Sequence, residues 1–240
     1  MNIIITMAGN SSRFKAAGYK IEKYKIITKN QTLFYRSISS LKQYIEQDCK
    51  FIFIVKKTDG SKDFIQNEIN ILNIKNYKII EISSSTRGQA ETAIMAEKYL
   101  NPKEPVAIFN IDTQINKDYL QYFNNNDIDG FIPCFIAYDK KWSFVKIDHK
   151  GYASLVKEKD PISNYATIGF YWFKSFELYK NIYTKYYSNE YEEIELYIAP
   201  LYNEIIKNNG KITISIIPNE ALIALGTPED LNNFIKNNVK

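Results

Sequence analysis

Residues 1–23 read MNIIITMAGNSSRFKAAGYKIEK, and this stretch indicates how the chain begins to fold. The apolar run within residues 2–8 predicts a buried strand, and the small, polar residues after it predict a turn with little side chain. Such a turn presents backbone N–H groups, and Arg13 and Lys23 add two positive charges. Amides and cations together suit a chain of phosphates. An ordinary strand-to-helix turn around the single glycine, Gly9, is the alternative.

Size and composition limit the possible classes of protein. A chain of 240 residues can bury roughly 70% of its unfolded surface. The net charge of +4 is spread along the chain, which argues against a nucleic-acid partner but allows a local anion pocket. Cys49 and Cys134 lack metal-ligand spacing and are expected to be buried thiols. The absence of a signal peptide and of a long apolar run predicts a cytoplasmic protein without a membrane partner.

In the first half of the chain, about residues 1–128, predicted strands alternate with predicted helices. The strands are at 2–8, 51–55, 77–82 and 106–110, and the helices are at 31–47, 61–72 and 89–100. This alternation is typical of an α/β fold in which a mostly parallel sheet carries helices on both faces.

The pattern changes in the second half, about residues 129–240. Strand-like runs with short connections at 130–138, 142–148, 152–158 and 166–173 predict an added antiparallel part. The rest of this half is expected to contain helices at 175–187 and 192–208, a strand at 212–217 and a last helix capped by Thr227. No linker or repeat interrupts the sequence, so it predicts a single domain, 1–240.

Three polar stretches, residues 8–13, 83–89 and 110–112, directly follow predicted parallel strands. Ligands of open α/β sheets bind beyond the carboxyl ends of the strands, so these stretches are expected to line one crevice. Asp112 in such a crevice suits a magnesium ion that accompanies a triphosphate. The alternative is that Asp112 caps a helix starting near residue 116.

Five segments in order carry a resemblance to a known family. They are MAGNSSRF…AGYKIEK, RGQAETA, NIDTQI, VKEKDPISNYATIGFYWF and ALGTPEDL. Together they resemble the sugar-nucleotidyltransferase family and cover nearly the whole chain. The resemblance implies a Rossmann-like fold with a nucleotide-binding first half and an acceptor-binding second half. It also implies attack of an acceptor phosphate on the α-phosphorus of a nucleoside triphosphate, with pyrophosphate leaving.

The resemblance further implies the residues of the site. Arg13, Lys23 and Asp112 would be catalytic, and Asp112 would bind Mg²⁺ (or Mn²⁺). The nucleotide-binding residues would be Met7, Ala8, Gly9, Asn10, Ser11, Ser12, Arg13, Arg87, Gly88, Gln89, Asn110 and Asp112. The acceptor-binding residues would be Lys23, Glu158, Lys159, Thr167 and Gly169.

The sequence departs from the family pattern at three places. Ser11 stands where a glycine is usual, Glu22 replaces the proline before Lys23, and residues 224–227 lack a second metal-binding acid. The variant AGY-x-x-x-K with RGQAETA is closer to the cytidylyltransferases of bacterial capsule and surface polymers. It therefore implies CTP as donor and a phosphorylated small-molecule acceptor such as the L-glutamine phosphate of capsular phosphoramidate synthesis.

Other functions remain open from the sequence alone. A sugar-1-phosphate uridylyl-, thymidylyl- or cytidylyltransferase has the same motifs. A glycosyltransferase of similar fold would use an Asp-x-Asp metal pair, whereas this chain has Asp112-Thr113-Gln114. A non-catalytic nucleotide-binding module is suggested by Ser11 and by the missing second acid. The oligomeric state is not readable from the sequence.

Overall fold

The strand predicted from the opening residues is present as β1, Asn2–Thr6. The structure is a computed structural model that describes residues 1–188 and 195–236. The remaining strands of the first half are β2 (Ile27–Thr28), β3 (Gln31–Thr32), β4 (Lys50–Lys56), β5 (Tyr77–Ile82), β6 (Val106–Asn110) and β7 (Thr113–Ile115). Those of the second half are β8 (Gly130–Ile136), β9 (Ser143–Ile147), β10 (Ala153–Glu158), β11 (Tyr165–Thr167), β12 (Phe170–Phe173), β13 (Ile212–Ile216) and β14 (Leu222–Ala224). The helices are α1 (Ser12–Ala16), α2 (Leu33–Ser39), α3 (Lys42–Glu46), α4 (Lys62–Ile71), α5 (Gln89–Ile94), α6 (Phe176–Tyr186), α7 (Tyr202–Lys207) and α8 (Pro228–Lys236).

The first half forms a parallel sheet in the order β5-β4-β1-β6. Side chains alternate between the two faces of a strand, so Ile3 and Ile5 join one buried cluster and Ile4 joins another. Helices cover both faces, which is why these strands are continuous apolar runs in the sequence. The carboxyl ends of β1 and β6 lie side by side, with Thr6 opposite Asn110.

The second half extends the same sheet with antiparallel strands. β12 pairs antiparallel with β6, and beyond it follow β8, β11, β9 and β10. β13, for which the sequence predicts no direction, runs parallel to β8. The mixed α/β architecture confirms the predicted Rossmann-like class with its antiparallel addition.

Several predicted elements differ in extent from those in the structure. The helix predicted at 31–47 is two helices, α2 and α3, because Ser39 and Ser40 donate hydroxyl hydrogen bonds back to the carbonyl of Arg36. The strand predicted at 166–173 is interrupted at Gly169, whose φ of +82° breaks the extended backbone. The helix predicted at 89–100 ends at residue 94 and is followed by a 3₁₀ turn at Glu97–Tyr99.

Two further helix predictions, one near residue 116 and one at 192–208, differ from the structure. Residues 113–115 form β7, and no described residue between 116 and 129 is helical, so the helix expected near 116 was wrong. Of the helix predicted at 192–208, residues 192–194 lie outside the described residues, 195–198 are irregular, and a 3₁₀ turn at Ala199–Leu201 leads into α7. Thr227 accepts a hydrogen bond from the Asp230 N–H at 3.1 Å, as expected of a helix cap.

Two further expectations concern the cysteines and the membrane. Cys49 and Cys134 are both buried and free, as expected. Among the described residues, none of the helices has the length and apolar character needed to cross a membrane.

Candidate active site

A cavity of about 710 Å³ opens beyond the carboxyl ends of the parallel strands. Residues 8–13, 86–89 and 110–112 line it, so the three polar stretches do meet, except that residues 83–85 stay outside. Glu158, Lys159, Thr167 and Gly169 line the same cavity from the antiparallel part. One space is therefore shared by the residues predicted for the nucleotide and those predicted for the acceptor.

The residues of the turn after β1 do not all face the cavity. Met7 is only 2% exposed, its N–H donates to the Ile54 carbonyl, and its side chain packs in the core rather than lining the cavity. Ala8 to Arg13 do line it. Asn10 is held from behind by Lys56, whose buried ammonium donates to Asn10 Oδ1 at 3.1 Å.

Ser11 and Glu22, two of the predicted departures from the family pattern, contact each other. Ser11 has φ +52° and ψ +30°, a left-handed conformation that favours glycine. Its hydroxyl donates to Glu22 Oε2 at 3.1 Å and lies 3.4 Å from the backbone nitrogen of Lys23. The other carboxylate oxygen of Glu22 lies 3.3 Å from Lys15 Nζ. A serine in place of glycine is thus tied to the residue before Lys23.

Lys23 and Asp112 form an ion pair in the cavity, with Lys23 Nζ 2.7 Å from Asp112 Oδ2. Their side chains are 22% and 26% exposed, so both remain open to a ligand. The segment after β14 supports Asp112 from the other side. Leu225 N–H donates to the Asp112 carbonyl, and a Cβ added at Gly226 would lie 3.3 Å from Asp112 Oδ2.

A second acid, Asp230, is also present at the cavity, but its carboxylate is already paired with neighbouring side chains. Asp230 lines the cavity, but Lys141 lies 2.9 Å from its Oδ1 and the Thr227 hydroxyl donates to its Oδ2 at 2.7 Å. Within residues 1–188 and 195–236 no cluster of three or more acids, histidines or cysteines could hold a metal by itself. The donor set therefore fits a magnesium ion held by Asp112 together with substrate phosphates, which is how Mg²⁺ is commonly bound.

The loop after β5 packs directly on the backbone of the 195–198 segment. Leu196 N–H donates to the Arg87 carbonyl, and Ala90 N–H donates to the Leu196 carbonyl. A Cβ at Gly88 would lie 2.6 Å from the Leu196 backbone, so a glycine is required there. Gln89 donates its amide to the Asn110 side chain, which joins two of the three predicted stretches.

Arg87 is paired within its own loop. Its backbone N–H donates to Glu91 Oε2 at 2.6 Å, and its guanidinium donates to Glu91 Oε1 at 3.1 Å. The hydrogen bond to Glu91 raises the pKa of Arg87. Glu91 takes only the Nε donor of the guanidinium, which leaves its other N–H groups for a ligand or a neighbouring side chain.

The acceptor end combines the hairpin of β9 and β10 with the 195–198 segment. Glu158 accepts a hydrogen bond from the Ser143 hydroxyl, and burial raises the pKa of the Glu158 carboxyl, with a smaller contribution from the charge of Glu195. Lys159 has φ +54°, and its ammonium contacts the Tyr197 hydroxyl and lies 4.6 Å from the centre of the ring. The phenol of Tyr197 donates to Glu195.

Two positions complete this end of the cavity. The Thr167 hydroxyl lies 3.0 Å from that of Tyr171, and a Cβ at Gly169 would lie 2.6 Å from the side chain of Asn110. Because Gly169 has no side chain, the bend between β11 and β12 can pack against Asn110, one of the residues predicted to bind the nucleotide. Ser163 and Asn164, which lie between Lys159 and Thr167 in the sequence, do not line the cavity.

Sequence reasoning missed several residues that line the cavity. They are Lys141, Ser143, Glu195, Tyr197 and Asp230. Asp230 had the pattern of a first-turn helix acid. The segment around Tyr197 follows no recognisable motif, and long-range packing brings it to Lys159.

Comparison with known proteins supplies the identity of the fold. No protein-family model and no curated protein matches the chain. Among solved structures, a nucleoside-diphosphate-sugar pyrophosphorylase from Vibrio cholerae RC9 is 34% identical, with a TM-score of 0.88, covering 98% of this chain and 100% of that one. The inositol-1-phosphate CTP transferase of T. maritima (13% identity, TM-score 0.77) covers 98% of this chain and 93% of its own. The UTP-bound UGPase of Acinetobacter baumannii (12%, 0.74) covers 98% and 92%.

The match to the Vibrio protein, together with the fold, places the chain among the nucleotidyltransferases. It belongs to the sugar-nucleotidyltransferase family, whose nucleoside-diphosphate-sugar pyrophosphorylase it matches from end to end. The predicted family is therefore confirmed. The two matches below 25% identity support the fold alone.

Proposed function

We propose that the protein transfers a nucleotidyl group from a nucleoside triphosphate to a phosphorylated small molecule. The single observation that carries the proposal is the Lys23–Asp112 ion pair, 2.7 Å long, in a cavity shared by both sets of predicted residues. Transfer of this kind depends mainly on positioning and on charge stabilisation rather than on covalent chemistry by the protein. A cation at the junction offsets the repulsion between two facing phosphates, and a carboxylate beside it could hold a metal ion that binds them.

In the proposed reaction, a phosphate oxygen of the acceptor forms a bond to the α-phosphorus, and the bond to pyrophosphate breaks. The amides of residues 9–12 hold the triphosphate, and the Arg13 guanidinium takes paired oxygens of the leaving group. Asp112 would hold Mg²⁺ (or Mn²⁺), which polarises the α-phosphate when bound. Lys23 then exchanges Asp112 for the two phosphates and offsets their repulsion. The acceptor is already an anion, so the reaction needs no general base.

For the substrates, we propose CTP and an acceptor such as L-glutamine phosphate, which would place the enzyme in capsule polysaccharide biosynthesis. The resemblance of the AGY-x-x-x-K and RGQAETA segments to bacterial cytidylyltransferases supports this choice. At the acceptor end, Glu158 and Glu195 can accept hydrogen bonds from an ammonium or a hydroxyl, and Lys159 can hold a phosphate. A sugar 1-phosphate would use the same groups, so it is the acceptor to test in parallel.

The test is pyrophosphate release from each of the four nucleoside triphosphates with Mg²⁺ and a panel of phosphorylated acceptors. We expect CTP to be the preferred donor and L-glutamine phosphate to be turned over. Turnover only with UTP or dTTP and a sugar 1-phosphate would exclude the cytidylyl assignment but keep the reaction class. Transfer from a nucleotide sugar without pyrophosphate chemistry would favour a glycosyltransferase and overturn the proposal.

A further inference from the structure

We infer that Ser11 and Glu22 are a pair of positioning residues that fixes the turn after β1 against Lys23. The inference rests on the proposed function, because it assigns a consequence to the placement of Lys23. Neither residue is proposed to touch a reacting atom. Their joint effect is to hold the nucleotide-binding turn and the cation at the junction in one arrangement.

The backbone of Ser11 provides the first argument. An L-residue at φ +52° is disfavoured relative to glycine, which adopts this conformation freely. Serine offers in return a hydroxyl that donates to Glu22 at 3.1 Å and faces the Lys23 N–H at 3.4 Å. The Ser11 side chain, which makes this backbone conformation unfavourable, is therefore also the group that hydrogen-bonds the turn to the segment of Glu22 and Lys23.

The surroundings of Glu22 provide the second argument. Its side chain is only 12% exposed, and Lys15 from α1 lies 3.3 Å from its second oxygen. Hydrogen bonds to a charged partner are stronger than neutral ones. Glu22 thus holds the turn through Ser11 and the helix through Lys15, immediately before Lys23.

The neighbouring turn residue is anchored in a similar way. Lys56, which is 8% exposed, donates to Asn10 and lies 3.6 Å from Asp59. Two consecutive turn residues are therefore held from behind by charged side chains that do not line the cavity. Such support is what a site needs when a misplacement of about 1 Å costs roughly 10²-fold in rate.

A double-mutant cycle on nucleotidyl transfer tests the pair. Ser11→Gly removes the hydroxyl while relieving the backbone, and Glu22→Ala removes its partner. We expect each to lower kcat about tenfold, with KM for the triphosphate changed less than threefold. If the two act as one unit, the double variant is no slower than the slower single variant. Glu22→Gln keeps an acceptor oxygen for Ser11 and should recover most of the rate.

Amide hydrogen exchange supplies a readout that does not depend on activity. Exchange in peptides covering residues 8–16 and 20–26 should become faster in both single variants. Lys42→Met, which breaks an exposed ion pair with Glu46 away from the cavity, is the control and should change neither rate nor exchange.

The outcomes separate the two proposals. Faster exchange in a protein that transfers no nucleotide would remove the proposed function and keep the pair. Normal kcat and exchange in Ser11→Gly would overturn the pair while the function stands. If the loss of kcat in the double variant equals the product of the two single losses, Ser11 and Glu22 act independently, and the inferred pair is also overturned.

Discussion

The nucleotide end and the acceptor end of the cavity are constructed differently. At the nucleotide end, loops follow parallel strands, and close backbone approach sets the geometry, as where Gly88 meets Leu196. At the acceptor end, geometry is set by contacts between side chains, from the neighbouring strand where Ser143 meets Glu158 and from a distant segment where Tyr197 meets Lys159. The first end should be sensitive to an added Cβ atom, and the second to a change of functional group. Lys23 and Asp112 stand where the two meet.

The largest effect is expected at the junction. Lys23→Met keeps the length of the side chain but leaves Asp112 and both phosphates without the cation. We expect kcat to fall about 10²–10³-fold, as when one group that stabilises transition-state charge is removed. Steady-state kinetics of pyrophosphate release measure it, with Lys42→Met as the same substitution at an exposed pair.

The result at Lys23 also sharpens the comparison of the two ends. A loss confined to KM of the triphosphate would assign Lys23 to the nucleotide end alone. A loss confined to KM of the acceptor would assign it to the other end. An unchanged kcat would contradict its place at the junction.

The contrast explains what the sequence could and could not predict. Parallel strands bring their carboxyl ends together by topology alone, so residues 8–13 and 110–112 were predictable as neighbours. The predicted strands at 142–148 and 152–158 also made Ser143 and Glu158 predictable as cross-strand neighbours, whereas Tyr197 lies far along the chain from Lys159 and reaches it only through long-range packing. The prediction that Met7 binds the nucleotide overlooked the alternation of the strand, which places Met7 on the same buried face as Ile3 and Ile5.

Gly88→Ala tests the nucleotide end. The added Cβ would lie 2.6 Å from the Leu196 backbone, which neither segment can relieve by a rotamer change. We expect a loss of about 1–3 kcal/mol in the free energy of unfolding, the usual cost of overpacking. Denaturant titration measures it. Gly151→Ala is the control, because Gly151 also has a positive φ but has nothing within 4 Å of the added atom. Equal losses in the two variants would mean that backbone strain, and not the contact with Leu196, dominates.

Glu158→Gln tests the acceptor end through its charge. Burial raises the pKa of Glu158 above 4.5, so the folded state binds the proton more tightly than the unfolded state. The free energy of unfolding is therefore lowered as pH rises through the folded pKa, and glutamine removes this loss. We expect the Tm of the variant relative to the original protein to increase from pH 4 to pH 8. KM for the acceptor should rise about tenfold, because a charged hydrogen bond becomes a neutral one. A pH-independent difference in Tm would contradict the buried carboxylate.

Tyr197→Phe is expected to have the smallest effect. The substitution keeps the ring that lies under the Lys159 ammonium and removes only the hydroxyl between Lys159 and Glu195. The contacts of the hydroxyl with two charged groups, Lys159 and Glu195, are lost while the cation–π contact remains, so we expect KM for the acceptor to rise about threefold with kcat unchanged. Tyr197→Leu removes the ring as well and should raise KM further. If Tyr197→Phe instead raised KM for the triphosphate, the phenol would belong to the nucleotide end.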